Sequence, residues 1–383
     1  MADNNSQSQG LHRINFHGKS GEYFSLWLTN VFLITITLGI YSAWATVRER
    51  RYFYTNTELD GKRFDYHAKP LQILIGRLLV ISGIVVFYLL LKTAPKFGFV
   101  ALLLLMALIP WGIVLGWRYN AAMSSYRGIR FNYICQIRRA YWVLMLCPVL
   151  LSAGVYIALA VLVGISSIFG DSVMSLTLVI LLAPSFALIN GIISTLQYEL
   201  CVNNMYFGHR PFIAKLKKFS FIKFSLISGF ISIVFLIFSL LFARTFFISL
   251  YHAVAAGNIS EILLLVRGSV GTLFLSLLVL FFGFLIAGSY FTVASRNYLC
   301  NQTTLDMNIR FHSSVKTLPY MWLLLSNGFM VLFSLGFALP VAKVRLVRYL
   351  ADRIAVEGDL SKLDIETHQM TANSAKVEIV TMA

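Results

Sequence analysis

The sequence predicts an all-α polytopic membrane protein: a helical bundle of six spans plus two terminal apolar segments, with short cytoplasmic β-hairpins. Three observations predict it. Hydrophobic residues make up 58% of the 383 and charged residues 13%, at a mean hydropathy of +0.75. That is more apolar side chain than a soluble domain can hide from water. Eight apolar runs occupy about 24–44, 71–91, 97–117, 141–164, 174–197, 221–250, 268–295 and 319–342. About 20 residues at 1.5 Å each suffice for a ~30 Å hydrocarbon core. Finally, Lys and Arg gather in alternate loops between these runs, as the positive-inside rule expects.

Residues 1–22 are polar and lack the short apolar core and cleavage site of a signal peptide, so the run at 24–44 is expected to be retained. A membrane domain is expected over 23–343 and a polar tail over 344–383, its last part (359–383) without sustained periodicity. Pro110, Pro148 and Pro184 lie inside runs, where neighbouring helices can satisfy the freed carbonyls. The four cysteines have no close spacing and three fall in basic loops, so no disulfide framework is expected. A net charge of +16 would suggest nucleic acid in a soluble chain. Here the basic residues border apolar spans, so the expected partner is membrane lipid rather than nucleic acid.

Loops 45–70, 118–139, 198–223 and 296–317 hold 19 Lys and Arg residues, against three (Lys92, Lys96, Arg267) in the links near 92–96, 165–173 and 251–267. The first set is therefore expected inside, and the six central runs form three helical hairpins. The end runs admit two arrangements. Full spans would leave both termini outside together with Lys343, Arg345, Arg348 and Arg353, against the bias and in the manner of inverted repeats. A re-entrant course would return each run to the inner face, broken near Asn30, Thr35, Thr37 and Gly39, or near Asn327, Gly328 and Gly336. The charge bias favours the second, and the sequence leaves both open.

An internal repeat accompanies these runs. Residues 23–61 and 320–358 align without a gap, with 12 identities in 39, among them Asn30 with Asn327, Gly39 with Gly336 and Arg48 with Arg345. Such self-similarity marks an architecture of repeated units. Arg51, Tyr52, Gly61, Arg63, Phe64 and Tyr66 recur as Arg118, Tyr119, Gly128, Arg130, Phe131 and Tyr133. Modules at helix exits are expected near 51–66, 118–133, 198–213 and 296–311. Asp60-Gly61, between Thr57 and Leu59 on one side and Phe64 and Tyr66 on the other, predicts a hairpin with a type I′ turn. Gly128 and Gly208 repeat the turn residue.

The runs TNVFLITITLGIYSAWATVRERRYFYTNTELDGKRFDY (29–66), MSSYRGIRFNY (123–133), YFGHRPF (206–212) and SRNYLCNQTTLDMNIRF (295–311) resemble the YjgN family of bacterial inner-membrane proteins over nearly the whole chain. The resemblance implies a multi-pass protein of the bacterial inner membrane and brings no established reaction or substrate. That family usually shows Pro where Ala43 stands, whereas Pro110 and Pro340 hold that slot in later copies of this chain. The first helix is accordingly expected to bend less sharply.

Two functions compete. The first is a passive transporter or channel-like protein for a small polar or anionic solute, with Asn30, Asn327, Asn190 and Gln197 as a candidate polar cavity. Asn30 and Asn327 lie at equal depth and are expected to face each other, although such amides more often join helices. The second is a non-catalytic scaffold or anionic-lipid-binding protein. Its candidate headgroup contacts are Arg48, Arg51, Arg118, Arg130, Arg296, Arg310, Arg345 and Arg348, set against a purely anchoring role. Proton coupling is not expected, because no span centre holds a carboxylate; no enzyme activity, cofactor or metal is expected, because no phosphate loop, nucleophile elbow or zinc motif occurs. His12, His17, His67, His209 and His312 lack zinc spacing. Arg77 and Arg244, near span ends, are expected to snorkel toward the interface.

Overall fold

A computed structural model describes residues 10–168, 170–257 and 259–360. The chain opens with β1 (Leu11–Phe16), α1 (Ser20–Ile36) and α2 (Ser42–Thr55), followed by the hairpin β2 (Thr57–Leu59) and β3 (Lys62–Tyr66). Then come α3 (Pro70–Thr93), α4 (Pro95–Met123) and the hairpin β4 (Ser124–Tyr126) and β5 (Ile129–Tyr133). The helix α5 (Ile137–Tyr141) passes through a π-turn at Trp142–Leu146 into α6 (Cys147–Ser167), and α7 (Asp171–Val202) returns to β6 (Met205–Phe207) and β7 (Arg210–Ala214). After α8 (Lys218–Phe242), the short α9 (Arg244–Ala255) and α10 (Ile259–Gly268) pack on each other before α11 (Val270–Gln302). The chain closes with β8 (Thr303–Leu305), β9 (Ile309–Ser313), α12 (Thr317–Phe333), α13 (Leu339–Ala351) and β10 (Ile354–Glu357). Residues 344–360 of the expected tail are thus α13, β10 and a short cap, and the rest of it lies outside the described residues.

Among the described residues, six helices are long and apolar enough to cross a membrane: Pro70–Thr93, Pro95–Met123, Ile137–Ser166, Pro184–Val202, Lys218–Phe242 and Val270–Gln302. Their large side chains face outward in bulk, including Leu79 and Phe230, each 68% exposed. Such surface is stable only against lipid. Small polar groups join neighbouring helices, as where Ser239 and Ser276 share a 2.7 Å hydrogen bond between α8 and α11.

The all-α expectation is overturned. The strands do not form separate hairpins but close into one ten-stranded antiparallel barrel, in the order β1-β10-β9-β8-β7-β6-β5-β4-β3-β2. Each hairpin edge finds the next: Tyr66 pairs Ser124, Tyr133 pairs Met205, Ala214 pairs Thr303, and Ser313 pairs Ile354. Closure removes the open edges that short exposed hairpins would otherwise present. The last hairpin is assembled from the two chain ends, with Leu11 opposite Glu357 and Phe16 opposite Thr57. Strands of three to six residues are too short to show periodicity in the sequence, and their pairing is non-local, so nothing local in the sequence marks a closed barrel. The turns themselves follow local chemistry. Asp60 and Gly61 both have positive φ, 50° and 71°, as do Arg127 and Gly128, the signature of a type I′ turn.

Alternation along the strands fills the lumen. Ile14, Leu59, Phe64, Tyr126, Ile129, Phe131, Phe207, Phe212, Leu305, Ile309, Phe311 and Val356 form one apolar cluster, capped by Leu360. Phe131, Phe212 and Phe311 follow one another around the wall at 6.3 and 5.9 Å between ring centroids, within the range of favourable aromatic contact. About 110 Å³ of space remains, bordered by apolar side chains together with Tyr126, whose hydroxyl is engaged at Leu59 O, 2.8 Å away. Water needs polar partners that such walls do not offer.

Helix packing follows the same circle. α13 packs on α1, α1 on α2, α2 on α3, and so on through α11 on α12 and α12 on α13. The two end runs are helical hairpins that leave the barrel and return to it, since β1 precedes α1, β2 follows α2, and these strands pair. The elbows are alike. Leu38 and Gly39 have φ of 49° and 92°, and Leu335 and Gly336 have 50° and 93°. Gly39 N donates to Ile34 O and Gly336 N to Val331 O, both at 2.8 Å, closing each helix with a left-handed cap. Thr37 Oγ1 accepts from Tyr41 N, and Ser334 Oγ accepts from Ala338 N. Of the expected break points, Thr37, Gly39 and Gly336 lie at the elbows, whereas Asn30, Thr35, Asn327 and Gly328 lie within unbroken α1 and α12. Ala43 replaces the proline without opening the first elbow, because the glycine cap makes the turn.

Candidate functional site

The helix exits are mainly joinery. Tyr52 donates to Lys19 O at 2.8 Å, Tyr119 to Lys69 O at 3.4 Å and Tyr349 to Lys316 O at 3.3 Å, while Lys217 N donates to the Tyr298 hydroxyl at 3.0 Å. Each tyrosine ties the end of a returning helix to the start of its outgoing partner. In the fifth arm buried Leu200 stands there instead, and Tyr133 donates to its carbonyl at 3.0 Å. Burial raises the Tyr133 phenol above its ordinary range, with Cys135 adding to the effect.

Several predicted headgroup contacts serve the same joinery. Arg48 Nη1 donates to Tyr41 Oη at 2.9 Å and to Asn30 Oδ1 at 3.4 Å. Arg51 reaches Tyr66 O at 3.4 Å, Arg345 reaches Ser326 Oγ at 3.4 Å, and Arg348 reaches Gly18 O at 2.7 Å. Arg296 Nε is buried without a partner, and Arg118 is exposed at the end of α4. Lys343 pairs with Glu49 across the seam between the two helical hairpins.

Arg130 and Arg310 stand differently. They alternate with lumen-filling Phe131 and Phe311, so they occupy the outer face of the barrel, and both are exposed. Arg13 beside Ile14 and Arg63 beside Phe64 share this position, which the repeated Arg-Phe pair could have revealed. None of the four side chains has a hydrogen bond or ion pair among the described residues. Three carboxylates of the same surface lie against histidines: Asp60 by His12 at 3.0 Å, Glu58 by His17 at 3.0 Å and Glu357 by His312 at 2.7 Å; Asp306 and Asp352 are exposed as well, and Asp352 borders the same hollow as Arg13. Asp60 also takes Arg127 at 2.6 Å. Exposed Lys62, Lys69, Lys215, Lys217 and Lys316 add cationic groups at strand and linker positions, while Lys19 lies 3.7 Å from Glu22. His209 is exposed at the β6–β7 turn.

The predicted polar cavity is not assembled around the paired asparagines. Asn30 serves Arg48, and Asn327 donates to Ala342 O at 3.1 Å while its Oδ1 is buried without a partner. Each amide works inside its own hairpin, and no hydrogen bond joins them. Asn190 stands apart from both: it donates to Ser225 Oγ at 3.0 Å and accepts from Ser194 at 3.4 Å. It borders a cleft of about 320 Å³ with Ser185, Ser225, Ser228 and Ser232 among apolar neighbours. Gln197 is half-buried on the same helix.

Comparison with known proteins gives this architecture its relatives. Residues 11–381 match the family described as "Bacterial protein of unknown function (DUF898)". The chain is 33% identical over 368 residues to "Inner membrane protein YjgN" of Salmonella typhimurium, covering 94% of this chain and 92% of that one. It is 28% identical over 373 residues to the protein of the same name from Escherichia coli O157:H7, covering 92% and 90%. No solved structure matches. The chain belongs to this family of inner-membrane proteins of unknown function.

Proposed function

We propose that this family member is a non-catalytic membrane scaffold whose barrel collar holds anionic lipid headgroups at the cytoplasmic face. The observation that carries this reading is the set Arg13, Arg63, Arg130 and Arg310, exposed on the outer wall with no side-chain hydrogen bond or ion pair among the described residues, while Asp60, Glu58 and Glu357 lie against histidines. Cations at a membrane surface each add about 1 kcal/mol of attraction to anionic lipid. The bias of 19 basic residues against three favours a cytoplasmic barrel. The apolar lumen offers a polar solute no hydrogen-bond partner, and entering it unsolvated costs several kcal/mol.

Native mass spectrometry of the full-length protein tests this reading. The wild type is expected to retain phosphatidylglycerol over phosphatidylcholine, and Arg13→Gln/Arg63→Gln/Arg130→Gln/Arg310→Gln to lose that preference. Equal preference in a folded collar variant would sink the proposal. Passive solute passage is the second reading, supported by the Asn190 cleft within the helices. Under it, proteoliposomes would leak a small polar solute, and Asn190→Leu would stop the leak.

A further inference from the structure

Arg77 lies seven residues into α3 from Pro70, about 10 Å along the helix axis at 1.5 Å per residue. Its guanidinium is held sideways against α2. Nη1 donates to Ser42 Oγ at 2.5 Å and Nη2 donates to Thr46 Oγ1 at 2.8 Å. Thr46 in turn donates to Ser42 O at 2.9 Å, which orients its own oxygen. Both partners of Arg77 are neutral hydroxyls, and no carboxylate pairs with it among the described residues. A guanidinium carries five N–H donors, so three remain after these two bonds.

Beside it lies a shallow open hollow of about 400 Å³, bordered by Ile73, Gly76, Arg77, Val80 and Ile81, all on one face of α3. A Cβ at Gly76 would meet nothing within 4 Å, so the hollow is not filled by the protein itself. A cation fixed at this depth with only neutral partners is expensive, and such residues typically mark a bound counter-group. The walls are apolar apart from the guanidinium. They therefore suit a molecule with one anionic group and a hydrocarbon chain. A free phosphate would have to give up its hydration to apolar walls on every other side. A zwitterionic headgroup would bring an ammonium that finds no acceptor here.

We propose that the face of α3 beside Arg77 is a site for one anionic phospholipid, its phosphate on Arg77 and an acyl chain along Gly76, Val80 and Ile81. The two hydroxyls are positioning residues: they fix the guanidinium beside the hollow, where its three remaining N–H donors can meet phosphate oxygens. This site shares its ligand class with the collar but none of its residues, so either can fail alone.

The test is native mass spectrometry of the full-length protein with phosphatidylglycerol, phosphatidylcholine or inorganic phosphate as probe. Wild type is expected to keep one phosphatidylglycerol at activation energies that strip the others, with at least tenfold lower retention of phosphatidylcholine. Arg77→Gln should lose this lipid, Ser42→Ala/Thr46→Ala should weaken it severalfold, and the fourfold collar variant should keep it. Arg77→Lys preserves the charge and guards against a folding artefact: it should retain the lipid more firmly than Arg77→Gln. The proposal is overturned if Arg77→Gln keeps the lipid as wild type does, or if phosphatidylcholine is held equally. Retention of inorganic phosphate in place of lipid would also overturn it, by making the site one for a soluble anion.

Discussion

The inner and outer faces of the barrel are built from adjacent residues with opposite fates. Phe64, Phe131 and Phe311 point into the lumen, while Arg63, Arg130 and Arg310, each one position earlier, point out. The inner face spends its chemistry on cohesion: rings in contact, little residual volume and, among the described residues, no free polar group. On the outer face Arg63, Arg130 and Arg310 have no side-chain partner among the described residues. A two-residue period thus separates what holds the ring together from what it presents outward. Changes on the two faces should therefore have separable consequences.

The largest effect is expected inside. Phe131→Ala removes a ring that touches Phe207 at 5.0 Å and Phe212 at 6.3 Å. Such a truncation costs about 3–5 kcal/mol. Thermal unfolding of the full chain in detergent should register the loss, while lipid preference per folded molecule stays unchanged. Next comes the hairpin made from the chain ends. Gly358 has φ of 142°, and a Cβ there would lie 2.9 Å from Asn308 O. Gly358→Ala should cost about 1–3 kcal/mol of stability, with Gly21→Ala, whose added Cβ meets nothing within 4 Å, as the silent control. Outside, the sign of the comparison reverses. The fourfold collar variant should shift stability by no more than about 0.5 kcal/mol per site yet weaken binding to anionic vesicles at least tenfold. Added salt should reproduce that loss in the wild type, because exposed charges are screened within ~8 Å at physiological ionic strength. The smallest effect belongs to Arg130→Gln alone, about 1 kcal/mol of vesicle binding, readable as a shift in half-saturating lipid.

Local features were legible in the sequence and long-range ones were not. The type I′ turn at Asp60-Gly61 and the elbow glycines Gly39 and Gly336 could be read because each depends on residues within one turn of chain. The membrane class followed from apolar runs whose lengths match a bilayer. The barrel escaped because pairs such as Tyr66 with Ser124 and Leu11 with Glu357 join strands too short to announce themselves. The arginines divided in the same way. Arg48 and Arg348 sit on helices, and long side chains let them reach Asn30 and Gly18 O, destinations no spacing rule predicts. Arg130 and Arg310 sit on strands, where alternation with phenylalanine fixes their direction. Arg77, expected to snorkel, is held instead by Ser42 and Thr46 on a neighbouring helix.

One measurement bears most directly on the claim that the outer face carries the function and the lumen only the fold. Wild type, Phe131→Ala and the fourfold collar variant are purified from the same membranes, and phosphatidylglycerol is counted per folded protein. Equal counts are expected for wild type and Phe131→Ala, with a clear drop for the collar variant. A drop in the folded lumen variant with no change in the collar variant would contradict that claim.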